Sequence, residues 1–340
     1  MRRWLSPMRL VVAAAIIVIA FFAYGITQKS DKLLEVPDKA HSLNGIISVP
    51  GTARQQDGGG IYYVDVVLQK ASVLQSAFKL FRPEGADLIS QNDFVPTGLS
   101  YSQQLKVDQE TMKVSQKKAS VVALRALGLK FPAREGGVRV AAIDSDSHAN
   151  GMLQPQDIVV AADGQKVETS LDLFNVLSHH RPGDVVRIGV LRAGKRLNYR
   201  IKTVADSLEP RRALIGFAPV EVVNAKLPVP VHFDLGRDVG GPSAGLAFAL
   251  EILEQKGRDV DHGMRIAATG EIQLDGQVTS IGGVKQKTIG ARRAHADAFL
   301  VPVDGDNAKV AKRYAHGLRI IPVKNFQQAL QALATLPRKS

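Results

Sequence analysis

The sequence predicts a three-part chain: one N-terminal transmembrane helix, a β-rich middle domain, and a C-terminal domain of the α/β (α+β) class. Three observations predict it. An uncharged run, Leu10–Ile26, follows Arg2, Arg3 and Arg9. Segments of β character separated by Gly-containing turns fill the middle of the chain. From about residue 207, strand and helix patterns alternate. The corresponding boundaries are 1–9 for a cytoplasmic N-terminus, 10–27 for the anchor, 43–111 for an N-terminal β-containing segment, 118–206 for the middle domain and 207–340 for the last.

A helix needs about 20 apolar residues, with a tolerated range near 17–25, to cross a bilayer. The run here meets that at its short end. Basic residues precede it, which keeps residues 1–9 in the cytoplasm and sends the rest across. A cleaved signal peptide is the rival, since Ala23 and Gly25 offer small residues for cleavage. The anchor is preferred because the run exceeds the usual ~7–15 residue signal core. Both readings put residues 30–340 outside the cytoplasm, single-pass in the case of the anchor.

Composition excludes several classes. The chain has no cysteine, which removes disulfides, Cys-ligated zinc and a thiol nucleophile. No metal or cofactor is expected. The net charge of +12 is spread along the chain rather than gathered into a basic block interleaved with aromatics. It reads as a solvated surface, with no nucleic-acid partner. The 45% hydrophobic content is that of folded protein.

Residues 28–42 read as a polar juxtamembrane linker. Gly45–Val49 and Ile61–Leu68 read as strands, split by a loop over Arg54–Gly60. They either complete a later sheet or form a module of their own. Residues 85–105 carry weak periodicity and no assignment. Met112, Ala119, Val122 and Ala126 recur at helical spacing and predict a helix over Met112–Leu127.

In the middle domain, Gly137–Ile143 reads as a strand and Asp163-Gly164 as a turn. Leu171–Leu177 reads as a short helix with Phe174 and Leu177 on one side. Pro182-Gly183-Asp184 stops it, and Val185–Leu191 pairs with Leu197–Val204 around Arg192-Ala193-Gly194-Lys195. These pieces together resemble a PDZ domain of the bacterial protease-associated kind. The resemblance implies peptide binding by strand addition, or a gating role without peptide specificity. Leu127-Gly128-Leu129-Lys130-Phe131 stands where the carboxylate-binding loop is expected. Gln156 departs from the pattern, which usually has glycine there.

The last domain reads as strands over Ala213–Val222, Val229–Asp234, Met264–Thr269, Ala298–Val301 and Leu318–Val323. Helices are predicted over Pro242–Gln255, Val284–His295, Asn307–Ala315 and Phe326–Leu336. A hairpin turns at Asp275-Gly276.

The chemistry centres on Gly240-Gly241-Pro242-Ser243-Ala244-Gly245. It places a serine at a helix start, where free backbone N–H groups and the positive dipole end can hold a developing oxyanion. Serine is also a common helix cap, so the motif needs a partner. A serine hydroxyl requires a base, and a lysine can serve only if burial lowers its pKa from about 10.4. In Val284-Lys285-Gln286-Lys287, the helical face shared with Val284, Ala291 and Ala294 selects Lys287. Lys285 shares a side with Arg292 and Arg293. Thr269, in Ala268-Thr269-Gly270-Glu271, is placed to hold the Lys287 amine towards Ser243.

Gly-Pro-Ser-Ala-Gly-Leu, Thr-Gly-Glu-Ile, Gly-Gln-Val and Ile-Gly-Gly-Val-Lys-Gln-Lys, in this order, resemble the Lon-type peptidase family over about 220–336. The resemblance implies a Ser–Lys dyad at Ser243 and Lys287, with Thr269 and Gly241 in support. Gly240 stands where ATP-dependent members usually carry Asp. Asp238 is nearby but is not given that role. With the apolar segment and the PDZ-like block, the chain resembles the membrane-anchored, PDZ-containing Lon-like serine peptidases of bacteria. The sequence has no Gly-x-x-x-x-Gly-Lys-Ser/Thr phosphate loop, so the expected activity is ATP-independent hydrolysis of unfolded or flexible proteins. The resemblance also implies a homo-oligomer, a ring such as a hexamer.

Two rivals are defined by the same residues. Gly241–Gly245 fits the nucleophile elbow of α/β-hydrolases, which would need His295 or His316 as base. A catalytically silent, membrane-anchored PDZ scaffold or adaptor is the other.

Overall fold

The computed structural model describes residues 7–51, 58–90, 99–207, 209–236 and 239–339. Arg54–Asp57 of the expected glycine-rich loop, and Asp238, lie outside them.

The N-terminal helix spans Pro7–Thr27. At 1.5 Å per residue it is roughly 30 Å long, the thickness of a bilayer core. Its apolar side chains, such as Ile16, Ile19 and Phe21, are exposed. The helix is long and apolar enough to cross a membrane, and a signal sequence has the same character.

The segment read as a linker is instead a strand. Lys29–Pro37 lies at the centre of a three-stranded antiparallel sheet, between Val66–Ser72 and Asp87–Ile89. Its charges mask an apolar pair: Leu33 and Leu34 are buried. The single strand expected over Ile61–Leu68 is broken after Tyr63, and pairing resumes at Val66. The first half, Gly60–Tyr63, leaves for a different sheet. It pairs in parallel with Arg265–Ala268, which pairs in turn with Ala298–Pro302 and then Arg319–Val323. His41–Ser42 closes the other edge. Residues before the middle domain therefore supply two of the five strands of the sheet around which the C-terminal domain is built.

The predicted helix over Met112–Leu127 starts a full three turns earlier and spans Tyr101–Ala126. Ser100 and Gln103 form a capping box at its start, a sequence signature of helix initiation. One face of this linker helix enters the largest core, where Met112, Ala119, Val122 and Ala123 join Leu246, Phe248 and Leu250. Another face carries Val107 against Ala142, Ala218 and Val220 of the middle domain. Lys118, fully buried, hydrogen-bonds Glu221 and Gln273 and so ties the helix to both neighbours.

The middle domain has a sheet in the order Lys195–Lys202, Val185–Arg192, Ile158–Ala162, Ala133–Ile143, Phe217–Ala225, with Gln165–Lys166 beside Ile158–Ala162. The last strand lies beyond the expected boundary at 206 and adds to this sheet by pairing with Ala133–Ile143. The helix Ser170–Leu177 is capped by Thr169 and Asp172, and buries Leu173, Val176 and Leu177 on the sheet. Gln156 has φ +78°, the left-handed region that glycine adopts without penalty. This is the position where the PDZ pattern calls for glycine.

In the C-terminal domain, the helices Gly245–Gln255, Val284–Arg293, Asn307–Tyr314 and Phe326–Ala334 match the sequence expectation with shortened ends. Gly276, at φ +84°, turns the hairpin between Glu271–Ile272 and Val278–Thr279.

Candidate active site

The helix expected from Pro242 begins at Gly245, and Ala244 is its N-cap with no side-chain capping bond. Ser243 thus sits in the turn before the helix, and its hydroxyl is free of the capping role that the residue type favours. The turn is held from three sides. The Gly241 N–H donates to the carbonyl of Asp108 at 2.9 Å. Ser115 Oγ donates to the carbonyl of Pro242 at 2.9 Å. The carbonyl of Ser243 accepts from the Gly270 N–H at 2.8 Å and from Thr269 Oγ1 at 3.1 Å. Gly241 has φ +82°, which explains the glycine there. Gly240 is required by close approach, because a Cβ would lie 2.8 Å from Asp108 Cβ.

Lys287 Nζ lies 2.8 Å from Ser243 Oγ. Lys287 is buried at 4% exposure, on the inward face of Val284–Arg293 as its spacing predicts. Lys285 points elsewhere, pairing with Asp87 at 2.6 Å. Burial lowers the Lys287 amine to about 8, against the opposing pull of the Asp65 and Glu35 charges. Both carboxyls are themselves raised, chiefly by their own burial. The amine is therefore largely neutral at mildly alkaline pH, the form able to accept a proton.

Glu35 and Asp65 were not among the residues singled out from the sequence. Asp65 follows the strand break after Tyr63, and Glu35 sits in the segment read as a linker. The same N-terminal sheet seats the helix that carries Lys287. Gly290 packs so closely on the carbonyl of Asp38 that a Cβ would collide with it. Gln286 donates to Asp87 at 2.9 Å. Gly283, the N-cap at φ +67°, approaches Glu35 so that a Cβ would lie 2.7 Å from Glu35 Oε1.

The Thr269 hydroxyl meets Ser243 through the serine's carbonyl, and its one proton is committed there rather than to Lys287. Among the described residues, the backbone N–H groups of Ser243 and Ala244 meet no acceptor. The hydrolase-elbow alternative finds no support in the geometry. His295 and His316 are exposed, each in a left-handed turn at φ +54° and +42°, while Ser243 Oγ is engaged by Lys287.

Residues 223–335 match the Lon protease (S16) C-terminal proteolytic domain, and residues 125–203 match the PDZ domain. The Lon protease of Buchnera aphidicola subsp. Schizaphis graminum is 37% identical over 100 residues, 28% of this chain and 13% of that protein. Lon protease 2 of Bacillus subtilis is 34% identical over 110 residues, 32% of this chain and 19% of that protein. The Lon protease of Chloroflexus aggregans is 28% identical over 217 residues, 61% of this chain and 25% of that protein. Among solved structures, the PDZ domain of an SdrC-like protein from Listeria monocytogenes is 26% identical and covers 25% of this chain and 87% of that domain, with a TM-score of 0.23.

The chain therefore carries a PDZ domain followed by a Lon-type (S16) proteolytic domain, behind one apolar N-terminal helix. It spans a quarter or less of the length of these curated relatives.

Proposed function

We propose that this chain is an ATP-independent serine endopeptidase, anchored by its N-terminal helix with its folded domains outside the cytoplasm, that cleaves unfolded or flexible proteins. The observation that carries the reading is the 2.8 Å approach of the buried Lys287 Nζ to the half-buried Ser243 Oγ. The neutral Lys287 amine takes the Ser243 proton as Oγ attacks the scissile carbonyl carbon. The oxyanion so formed is stabilised by backbone N–H groups at the Ser243 turn and the helix start behind it. The Lys287 ammonium then gives its proton to the leaving amine, and the C–N bond breaks. A water, deprotonated by Lys287, attacks the acyl-enzyme ester, and the Lys287 ammonium returns that proton to Ser243 Oγ as the C–Oγ bond breaks. Thr269 and Gly241 position the serine through its backbone. The PDZ domain recognises or gates substrate, and the chain works as a homo-oligomeric ring.

Casein, an unfolded protein, is the test substrate for the full chain in detergent micelles without nucleotide. The wild type cleaves it, and Ser243→Ala and Lys287→Ala each lose at least about a thousandfold in rate. Equal rates in all three would sink the dyad, and no cleavage by the wild type would return the chain to the silent-scaffold reading.

A further inference from the structure

The N-terminal helix runs into the folded body with no slack. The helix ends at Thr27 and the strand Lys29–Pro37 begins at once. The Gln28 N–H donates to the Tyr24 carbonyl at 2.9 Å, and the Gln28 carbonyl accepts from the Val73 N–H at 3.0 Å. The short helix Val73–Ala77 lies directly against the N-terminal helix, so close that a Cβ on Gly25 would lie 2.6 Å from Leu74 Cγ. Beyond it the chain folds back as the turn Lys79–Phe81, held by Arg82, whose Nε donates to the Gln75 carbonyl at 2.8 Å.

This corner carries apolar surface that no described part of the fold covers. Val73, Phe78, Leu80 and Phe81 are exposed, Leu80 at 88%. Exposed apolar side chains scattered singly are ordinary. These share one short segment, and the Phe78 and Phe81 ring centroids are 6.2 Å apart.

Depth says what covers them. The Phe81 ring lies 6.0 Å from the Phe22 ring of the N-terminal helix. Phe22 precedes the helix end at Thr27 by five residues, which is about 7.5 Å down the axis at about 1.5 Å per residue. Apolar side chains of interfacial segments bury about 5–10 Å into the headgroup–acyl boundary. A bilayer crossed by this helix therefore takes in Phe81 at the level of Phe22. Charge is complementary too. Residues 66–83 contain Lys70, Lys79 and Arg82 and no acidic residue. Lys70 and Lys79 are exposed, and a lysine at such a boundary lays its stem on apolar surface and its amine on the headgroup phosphates.

We infer that Val73–Phe81 is a membrane-dipping segment, which seats Phe78, Leu80 and Phe81 in the surface of the bilayer that the N-terminal helix crosses. The inference rests on the anchor reading proposed above. It fastens the peptidase to the membrane at two points rather than one. The second point leads straight to the active site. Just beyond the turn, Glu84 pairs with Arg292 at 3.4 Å and Arg293 at 3.3 Å, and Asp87 pairs with Lys285 at 2.6 Å. All three basic residues lie on Val284–Arg293, the helix that carries Lys287. The catalytic helix is therefore held at a fixed height over the bilayer instead of swinging on a linker.

The chain has no native cysteine, so single labels test this in the full chain. Leu80→Cys, Ile19→Cys and Leu171→Cys, each carrying a nitrobenzoxadiazole fluorophore, are reconstituted into vesicles of equal parts phosphatidylcholine and phosphatidylglycerol. The phosphatidylcholine is either plain or carries a nitroxide quencher on its acyl chain near the headgroup. Ile19 reports the helix, and Leu171, exposed on the helix Ser170–Leu177 of the PDZ domain, reports the body. Fluorescence at Leu80 is expected to fall by about half or more in the nitroxide lipid, as for a group at the headgroup–acyl boundary. Ile19 is expected to be quenched as well, and Leu171 to be unchanged. Quenching at Ile19 but not at Leu80 overturns the inference and leaves the anchor. Quenching at Leu80 but not at Ile19 refutes the anchor and keeps the lipid contact of the segment. A blue-shifted Leu80 emission in both lipids without quenching places the patch against a second copy of the chain and overturns the inference. Equal quenching at Leu171 and Leu80 overturns it too, because the contact would not be particular to this segment.

Discussion

The hydroxyl of Thr269 donates to the backbone carbonyl of Ser243 at 3.1 Å. Together with the Gly270 N–H on the same oxygen, it fixes the peptide plane from which the Ser243 side chain projects. Thr269 thus positions the serine rather than the lysine. Removing one such buried bond costs about 1–3 kcal/mol, or roughly ten- to a hundredfold in rate when the loss falls on the transition state. Thr269→Val is expected to lower kcat by that amount with KM nearly unchanged, and Thr269→Ser to restore it. Steady-state kinetics on a short fluorogenic peptide checks this. A rise in KM with kcat intact would place Thr269 in substrate binding instead.

Glu35 and Asp65 hold the Lys287 pKa up against the burial that lowers it. Neutralising either carboxylate removes a charge that favours the ammonium. The Lys287 pKa should fall further, and the rising limb of activity against pH should move to lower pH in Glu35→Gln and in Asp65→Asn. A shift in the opposite direction would mean that these groups do not act on Lys287 through charge.

Gln156 occupies a left-handed backbone conformation at φ +78°. A side chain there costs about 1 kcal/mol relative to glycine. Gln156→Gly should therefore raise the stability of the PDZ domain by about that amount. Arg139 Nη1 reaches Gln156 Oε1 at 3.2 Å on the surface, and losing this exposed bond subtracts little. Denaturant unfolding of the full chain in micelles, followed by circular dichroism, reads the change. A lower midpoint would show that the Gln156 side chain contributes more than its backbone strain costs.

Much of the site was legible because it depends on local pattern. Pro and Gly around Ser243 announce a turn into a helix, and helical spacing alone separates Lys287 from Lys285. The apolar N-terminal helix is equally local. What stayed hidden depends on chain segments far apart in sequence. The strand Lys29–Pro37 carries enough charge to read as linker, and only its pairing partners explain Leu33 and Leu34. Gly60–Tyr63 joins a sheet whose next strand is about 200 residues later, a pairing that no window of sequence contains. Glu35 and Asp65 were missed with those strands. The early start of the linker helix was readable in principle, since Ser100 and Gln103 spell a capping box. Leu214-Ile215-Gly216-Phe217 was absorbed into one long predicted strand, because Gly216 alone does not mark a break.

The central claim is that Lys287 acts as a neutral amine on Ser243. Its most direct test is the pH dependence of kcat/KM for a short fluorogenic peptide cleaved by the full chain. The burial-lowered amine loses its proton near pH 8, so the rate should be low at pH 6, rise through a midpoint at about 8 and level off above it. A profile that is flat from neutral to alkaline pH, or that falls as pH rises through 8, would contradict the account.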